Sequence, residues 1–395
     1  MTTNKKTANH VTARPFVQET SFKKDDYWGE VWDRTKNFGA NERVASTTGK
    51  YCAKPFTWFE IQIDGRVFMC CPTWLPYPVG NVFENTISEI WNSERVIKIR
   101  ESIYDGSFKY CNKPLCPDIQ AGYLKDLNEI PAADRWIVDQ TGFPKNINFS
   151  TDESCNLSCP SCRTSKILHS SGPDYDHRQL LDDKIWSEIM ARPKDIDINI
   201  HITGSGDPFG SKIFRERLLS LDATERPNMR FHFKTNGVML TPKIWEQLHR
   251  IHRNIKNIHI SFDAGTEQTY NITRRGGDWN TLIENMRALD PIARDNGIQL
   301  FYDYVVQAAN ATEMLDFCKL INEISPNYYL LHFTRISDWG TWPTQEFERQ
   351  AVWMESHPDH QAWLQHIANP EFDKYRINWA NNAQFRKIAI EKFRG

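Results

Sequence analysis

The chain has 395 residues and a mass of 46.2 kDa, long enough for one large domain with a smaller companion. A formal net charge of -2 and a pI near 6.6 provide no basic face of the kind that displaces counterions from DNA or RNA, so no nucleic acid partner is expected. No apolar run approaches the roughly 18 residues that span a bilayer, and the opening MTTNKKTANHVTARPF lacks the apolar stretch of a secretory signal, which predicts a cytoplasmic protein with no membrane partner.

Residues 1–45 are polar and mixed in charge, with Phe16, Trp28 and Trp32 scattered among them, and read as a loosely ordered arm. Residues 46–125 read as a small α+β unit. Within it FTWFEIQID and RVFMCC flank Asp64-Gly65, which predicts a β-hairpin. Thr86-Ile87-Ser88-Glu89 has the form of a capping box, and Ile90, Trp91, Val96, Ile97 and Ile99 continue a helical pattern that Gly106 ends. Cys111 and Cys116 close this unit.

Residues 140–342 alternate β-type runs with helical ones. The predicted strands are Ile147–Ser150, Ile198–Thr203, Met229–Lys234, Ile258–Phe262, Leu300–Val306 and Tyr328–Phe333. Between them lie amphipathic stretches such as DKIWSEIMAR and EMLDFCKLINEI, and Thr241-Pro242 is a cap followed by proline at the first helical position. Six strand–helix units in one run argue for a parallel α/β sheet, either an open barrel or a doubly wound sheet. Residues 343–395, rich in Trp, His and Asn, read as a helical extension.

Eight of the nine cysteines fall in two groups, a distribution that suits metal ligation better than disulfides. Cys318 stands apart, on one helical face with Met314, Phe317 and Ile321, and is expected to be a buried, inert thiol. Cys155, Cys159 and Cys162 lie just past the first barrel strand, where an α/β barrel places its functional loops. Three thiolates hold three corners of an iron-sulfur cube, and no fourth cysteine is close in sequence. The open iron then suits the amino nitrogen and carboxylate oxygen of S-adenosylmethionine. A zinc site completed by a distant ligand is the competing reading.

The C-x3-C-x2-C loop after a first strand resembles the signature of the radical S-adenosylmethionine (radical SAM) superfamily. The resemblance implies a partial (β/α)6 TIM-like barrel, a [4Fe-4S] cluster on those three cysteines, and S-adenosylmethionine as cofactor. Ser205-Gly206-Asp207-Pro208 resembles the superfamily's Gly-Gly-Glu-Pro segment, which receives the cofactor's ammonium, with Ser205 in place of the first glycine and Asp207 in place of glutamate. Thr235-Asn236-Gly237 is similar to its Thr-Asn-Gly turn, and Ser261 and Asp263 to its Ser-x-Asp segment. Arg274 or Arg275 would meet the cofactor carboxylate, with Arg275 taken forward. Ser205, Gly206, Asp207, Asn236, Ser261, Asp263 and Arg275 are therefore the expected cofactor contacts. The usual aromatic residue before the third cysteine is replaced by Ser161. Gln307, Asn310 and Arg335 follow the last two strands and are expected at the barrel mouth as substrate contacts.

Cys52, Cys70, Cys71, Cys111 and Cys116, with the Asp-Gly hairpin and the Ser-Glu-Ile-Trp-Asn helix, resemble a SPASM-type auxiliary-cluster domain, placed here ahead of the barrel. The resemblance implies an auxiliary [4Fe-4S] cluster closed by four thiolates. One of Cys70 and Cys71 is surplus, because neighbours on a strand face opposite sides, and the choice leans to Cys71. Structural zinc on the same ligands is the alternative.

These readings converge on an enzyme that cleaves S-adenosylmethionine reductively and abstracts hydrogen from a substrate, with an external one-electron donor of flavodoxin or ferredoxin type. The resemblance favours a peptide or protein substrate. A small molecule or sugar, or a non-catalytic iron-sulfur or zinc-binding protein, are the alternatives.

Overall fold

The computed structural model describes residues 23–26, 29–30, 46–139, 141–338 and 341–395. Phe16, Trp28 and Trp32 of the N-terminal arm lie outside the described residues.

Chain order begins with β1 (Lys50–Tyr51), the short helix α1 (Lys54–Thr57), β2 (Trp58–Gln62), β3 (Arg66–Phe68) and β4 (Gly80–Asn81). The predicted hairpin joins β2 to β3 in antiparallel register, Glu60 opposite Phe68. Gly65 makes the turn possible: its φ is +81°, and a Cβ there would meet Asn81 Oδ1 at 2.6 Å. Helices α2 (Ile87–Trp91) and α3 (Glu94–Tyr104) follow, and α2 opens on the expected capping box, Thr86 and Glu89 each receiving the other's backbone N–H. Helix α4 (Pro117–Gln120) and β5 (Lys125–Asp126) complete this part, with β5 returning to pair β1.

The barrel strands are β6 (Asn146–Ser150), β7 (Ile198–Ile202), β8 (Met229–Thr235), β9 (Ile255–Ser261), β10 (Gln299–Val306) and β11 (Leu330–Arg335). Each aligns in parallel with the next. Between them run α5 (Pro173–Met190), α6 (Lys212–Ser220), α7 (Pro242–Gln247), α8 (Glu267–Thr273), α9 (Trp279–Asn296) and α10 (Met314–Ile324). Strand residues alternate: Ile147, Phe149, Ile198, Ile200, Ile202, Phe231 and Phe233 are buried under the helices, while the residues between them face the other way. Leu181, Ile185, Trp186 and Ile189 of α5 recur at helical spacing to meet that outer layer, and the Trp186 and Phe149 rings stack at 5.4 Å. Full burial of each such side chain contributes about 1.5–3 kcal/mol. Cys318 lies wholly buried on α10 beside Met314, Phe317 and Ile321, as expected.

The sheet does not stop at six strands. β2 pairs in parallel with β6, Trp58 opposite Asn146 and Gln62 opposite Ser150, so the N-terminal hairpin extends the barrel wall. At the other edge β12 (Ile377–Asn378), within a tail built from α11 (Thr344–Gln350), α12 (His360–Ile367) and α13 (Ala383–Phe393), pairs with β11. Among the described residues ten strands result, in the order β12-β11-β10-β9-β8-β7-β6-β2-β3-β4. One hydrophobic core runs through all parts, from Phe59, Val67 and Trp91 through Phe149 and Phe231 to Trp363 and Phe372. A second, smaller core of Tyr51, Phe56, Ile103, Phe108, Ile119 and Ile130 packs beside Cys52, Cys111 and Cys116. Among the described residues no helix is long and apolar enough to cross a membrane.

Candidate active site

Past the end of β6 the chain turns through Asp152, wholly buried, whose carboxylate accepts the Ser154 amide and hydroxyl and the Ser211 hydroxyl. Farther along the turn, Cys155 donates its amide to Ile167 O at 2.8 Å, which closes the cysteine loop on itself. The amides of Cys162 and Arg163 both return to Cys159 O, a tight turn joining the second and third cysteines. Each sulfur faces a donor. Cys155 Sγ meets the Leu157 amide at 3.4 Å and Asn236 Nδ2 at 3.7 Å, Cys159 Sγ meets Arg274 Nη1 at 3.8 Å, and Cys162 Sγ meets Arg163 Nη2 at 3.5 Å. Burial pushes the Cys155 thiol up to about 12, with the Asp207 charge adding to it, and also raises Cys159. Such sulfurs ionise when a cation binds them, and donors aimed at sulfur are what an anionic cluster requires. The residues therefore fit an iron-sulfur group.

The turns expected around the cofactor surround this loop. Gly206 presses against it so closely that a Cβ would meet Asp152 O at 2.4 Å and Ser154 O at 2.6 Å. Ser205 O accepts Arg163 Nη2 at 2.6 Å, and Thr203, three residues before Gly206, sits at φ +118°, a strained value for a β-branched residue. Asp207 is buried, and both its oxygens are engaged internally: one accepts the amides of Phe209 and Gly210, the other the Thr235 hydroxyl and the Asn236 amide. Asn236 in turn donates to Asn156 Oδ1 at 2.8 Å, beside Cys155.

Ser261 ends β9, buried, opposite Asp303. Asp263, at φ +58°, is ion-paired with Arg274 at 2.8 Å and accepts the Val305 amide. Burial raises its carboxyl, and Arg274 works against that shift. The sequence left Arg274 and Arg275 as alternatives, and the structure separates them. Arg274 links Asp263 to Cys159, whereas Arg275 bonds Thr164 O and Ser158 Oγ across the outside of the cysteine loop. Thr341 donates to Cys162 O at 3.1 Å, so the tail also touches the loop. Beside it, Glu153 pairs with Arg178 through both oxygens and meets His169, a latch holding the start of α5 to the loop.

The mouth residues come out differently from expectation. Asn310 is wholly buried, donating to Asp263 O and Val305 O while accepting the Gln307 amide, so it builds the turn after β10. Gln307 is buried with it. Arg335 is buried over the Trp353 ring at 4.5 Å, toward the tail.

The side of the open sheet away from the helices, the groove of the partial barrel, is lined instead by the strands' polar residues, absent from the sequence reading. The Trp58 ring lies tilted against His201, centroids 4.6 Å apart, and His201 stacks on His232 at 4.4 Å. Glu60 accepts from Trp58 Nε1, Gln62 Nε2 and Ser150 Oγ, and burial pushes its carboxyl up to about 7. Burial lowers His201 to about 2, with His232 adding to it, and lowers His232 as well. Farther round, Asp303 accepts Lys234 Nζ at 2.7 Å, His259 Nδ1 at 3.1 Å and His332 Nδ1 at 3.3 Å. Burial opposes ionisation there, but Lys234 and the two imidazoles outweigh it and hold the carboxyl well below the usual range. The alternation in INIHI and RFHFK carried the signal for this face.

In the N-terminal part, Cys52, Cys70, Cys111 and Cys116 line one cavity with Lys54, Trp74 and Phe108. Cys71 is not on its wall. Its thiol is pushed up to about 12, by burial first and next by the charge of Glu60. Turns set the cavity: Cys111 donates to Phe108 O and Cys116 to Asn112 O, while the Asn112 amide reaches Trp74 O at 2.7 Å.

Comparison with known proteins bears on both cysteine sites. Residues 150–306 match the radical SAM superfamily, and residues 52–118 match an iron-sulfur cluster-binding domain. One solved structure similar to the chain is a hexahistidine-tagged anSMEcpe with bound AdoMet, at 15% identity and a TM-score of 0.33, covering 49% of this chain and 50% of that one. The chain thus spans half the length of that protein. No curated protein matches. The family's cofactors are a [4Fe-4S] cluster with S-adenosylmethionine and, for the second domain, an auxiliary iron-sulfur cluster. Residues 150–306 are thus a radical SAM domain, and the iron-sulfur cluster-binding domain of residues 52–118 precedes it in the chain.

Proposed function

We propose that Cys155, Cys159 and Cys162 hold the [4Fe-4S] cluster at which S-adenosylmethionine is cleaved, and that the substrate lies in the polar groove of the barrel. Bound there, the cluster would supply the single electron for reductive cleavage of S-adenosylmethionine to methionine and a 5′-deoxyadenosyl radical, the species that would abstract hydrogen from the substrate. The chain's own residues supply position. Arg163, Arg274 and Asn236 each direct an N–H at a different one of the three sulfurs. Asp207 fixes Asn236, and Asp263 fixes Arg274, so both carboxylates act by orienting donors. Ser205 and Gly206 pack on the same loop and, with Ser261 at the end of β9, complete the cofactor's surroundings, while Arg275 ties the loop from outside.

Cys52, Cys70, Cys111 and Cys116 form the auxiliary ligand set, which leaves Cys71 as a free thiol beside Glu60. An external one-electron donor of flavodoxin or ferredoxin type delivers the reducing electron. A reducing cytoplasm suits a chain whose nine cysteines are all free. The groove's half-exposed Asn, His, Lys and Trp side chains suit a polar small molecule, or a polar side chain of a peptide, as substrate.

The observation that carries this reading is the set of donors converging on three buried or loop-held sulfurs. Anaerobically reconstituted, reduced protein is expected to release 5′-deoxyadenosine from S-adenosylmethionine, and Cys159→Ala to release none while keeping the auxiliary cluster's iron. A fully loaded wild-type protein that releases no 5′-deoxyadenosine would overturn it.

A further inference from the structure

We propose that Lys234, His259 and His332 form an oxyanion subsite in the barrel groove, so that the substrate carries a carboxylate or a phosphate group. This rests on the reading that the groove holds the substrate.

Four neighbouring strands contribute: Lys234 from β8, His259 from β9, Asp303 from β10 and His332 from β11. Asp303 lies behind the other three, its side chain 4% exposed, and accepts a hydrogen bond from each of them. The three basic groups are open to the groove, with side chains 54%, 29% and 27% exposed for Lys234, His259 and His332. An ammonium has three N–H groups, and one of Lys234's faces Asp303, so two remain for a ligand. Both imidazoles turn Nδ1 to Asp303, which leaves Nε2 for the groove, as a donor whenever the ring is protonated. Three basic groups against one carboxylate give a positive excess once either ring takes a proton.

The composition suits an anion better than a metal ion. The Nδ1 atoms are already engaged by Asp303, and an ammonium shares the cluster. Planar carboxylates and tetrahedral phosphates both suit donors converging from several strands.

The test is calorimetric titration of cluster-loaded, anaerobic protein with inorganic phosphate and, separately, with acetate, at constant ionic strength and with saturating S-adenosylhomocysteine. Saturable binding of one anion per chain is expected from at least one of them. Lys234→Gln and His332→Gln are each expected to weaken it about tenfold or more, as the loss of a charge-assisted hydrogen bond implies. Their iron content and circular dichroism, unchanged from wild type, identify folded variants. Phosphate alone binding assigns a phosphate-bearing substrate, and acetate alone a carboxylate. The proposal is overturned if neither anion saturates, if both folded variants bind as wild type does, or if a parallel titration without S-adenosylhomocysteine shows binding that its presence abolishes, since Lys234, His259 and His332 would then serve the cofactor's own carboxylate. Release of 5′-deoxyadenosine by the same wild-type sample separates the two readings: cleavage without anion binding removes the subsite and leaves the enzyme assignment standing.

Discussion

At Asp207, four donors converge on one carboxylate: the Phe209 and Gly210 amides, the Thr235 hydroxyl and the Asn236 amide. The side chain is 1% exposed, so water cannot replace a lost acceptor without local rearrangement. Each buried donor left without a partner costs about 1–3 kcal/mol. Asp207→Ala is therefore expected to destabilise the protein by about 3 kcal/mol or more, read as a lower urea midpoint under anaerobic conditions. A midpoint within error of wild type would show that these donors find other partners. A second carboxylate gives a pH effect. Burial raises Glu60 from the usual 4.5 to about 7, so between those values the unfolded chain has lost the proton that the folded chain keeps. The stability from this group is full below about pH 4.5, declines as pH rises to about 7, and is level above. The change amounts to about 3 kcal/mol. Burial lowers His201 and His232, which works in the opposite direction below pH 6.5, but those contributions are common to wild type and variant. Glu60→Gln should therefore gain on wild type as pH rises from about 4.5 to about 7.5, and a difference that stays constant over that range would show that the carboxyl titrates as if exposed.

At the scale of elements, the hairpin of β2 and β3 delivers two adjacent cysteines to different places. The pair lies in the bend just past the end of β3, where Cys70 lines the cavity with Cys52, Cys111 and Cys116 while Cys71 lies by Glu60. Cys70→Ser is expected to lose the auxiliary cluster and with it about half of the iron and labile sulfide per chain, whereas Cys71→Ser keeps both. Equal losses in the two variants would mean that the ligand role is shared. The sequence pointed to this pair and to the three-cysteine loop because both signals are local, a spacing within a few residues. The six barrel strands were legible for the same reason, through runs of Ile, Val and Phe. Other elements left no local trace. β12 is only Ile377 and Asn378, too short for any period to show. Asn310, read as a mouth residue from its place after β10, turns inward because Asp263 and Val305 offer carbonyls that a loop amide must satisfy. The polar face of the strands is half-exposed, and polar residues at alternate positions look the same in sequence whether they meet bulk water or a substrate groove.

At the scale of the whole molecule, the auxiliary-cluster part is not an appendage. β2 pairs along its full length with β6, the first strand of the barrel, and Phe59, Ile61, Val67, Val82, Ile90 and Trp91 belong to the same core as Phe149, Trp186 and Phe231. Removing those six side chains from the core forfeits on the order of 10 kcal/mol of burial, comparable with the roughly 5–15 kcal/mol that separates a typical folded domain from its unfolded chain. It also bares the backbone edge of β6 from Asn146 to Ser150. The full-length protein stripped of iron is thus expected to melt in a single calorimetric transition. A chain starting at Gly142 should yield aggregated material without a cooperative transition. Were that shorter chain soluble, with a sharp melting transition of its own, the shared sheet would be a docking contact between two independent folding units, and the two iron-sulfur sites would not depend on one common scaffold for their relative placement.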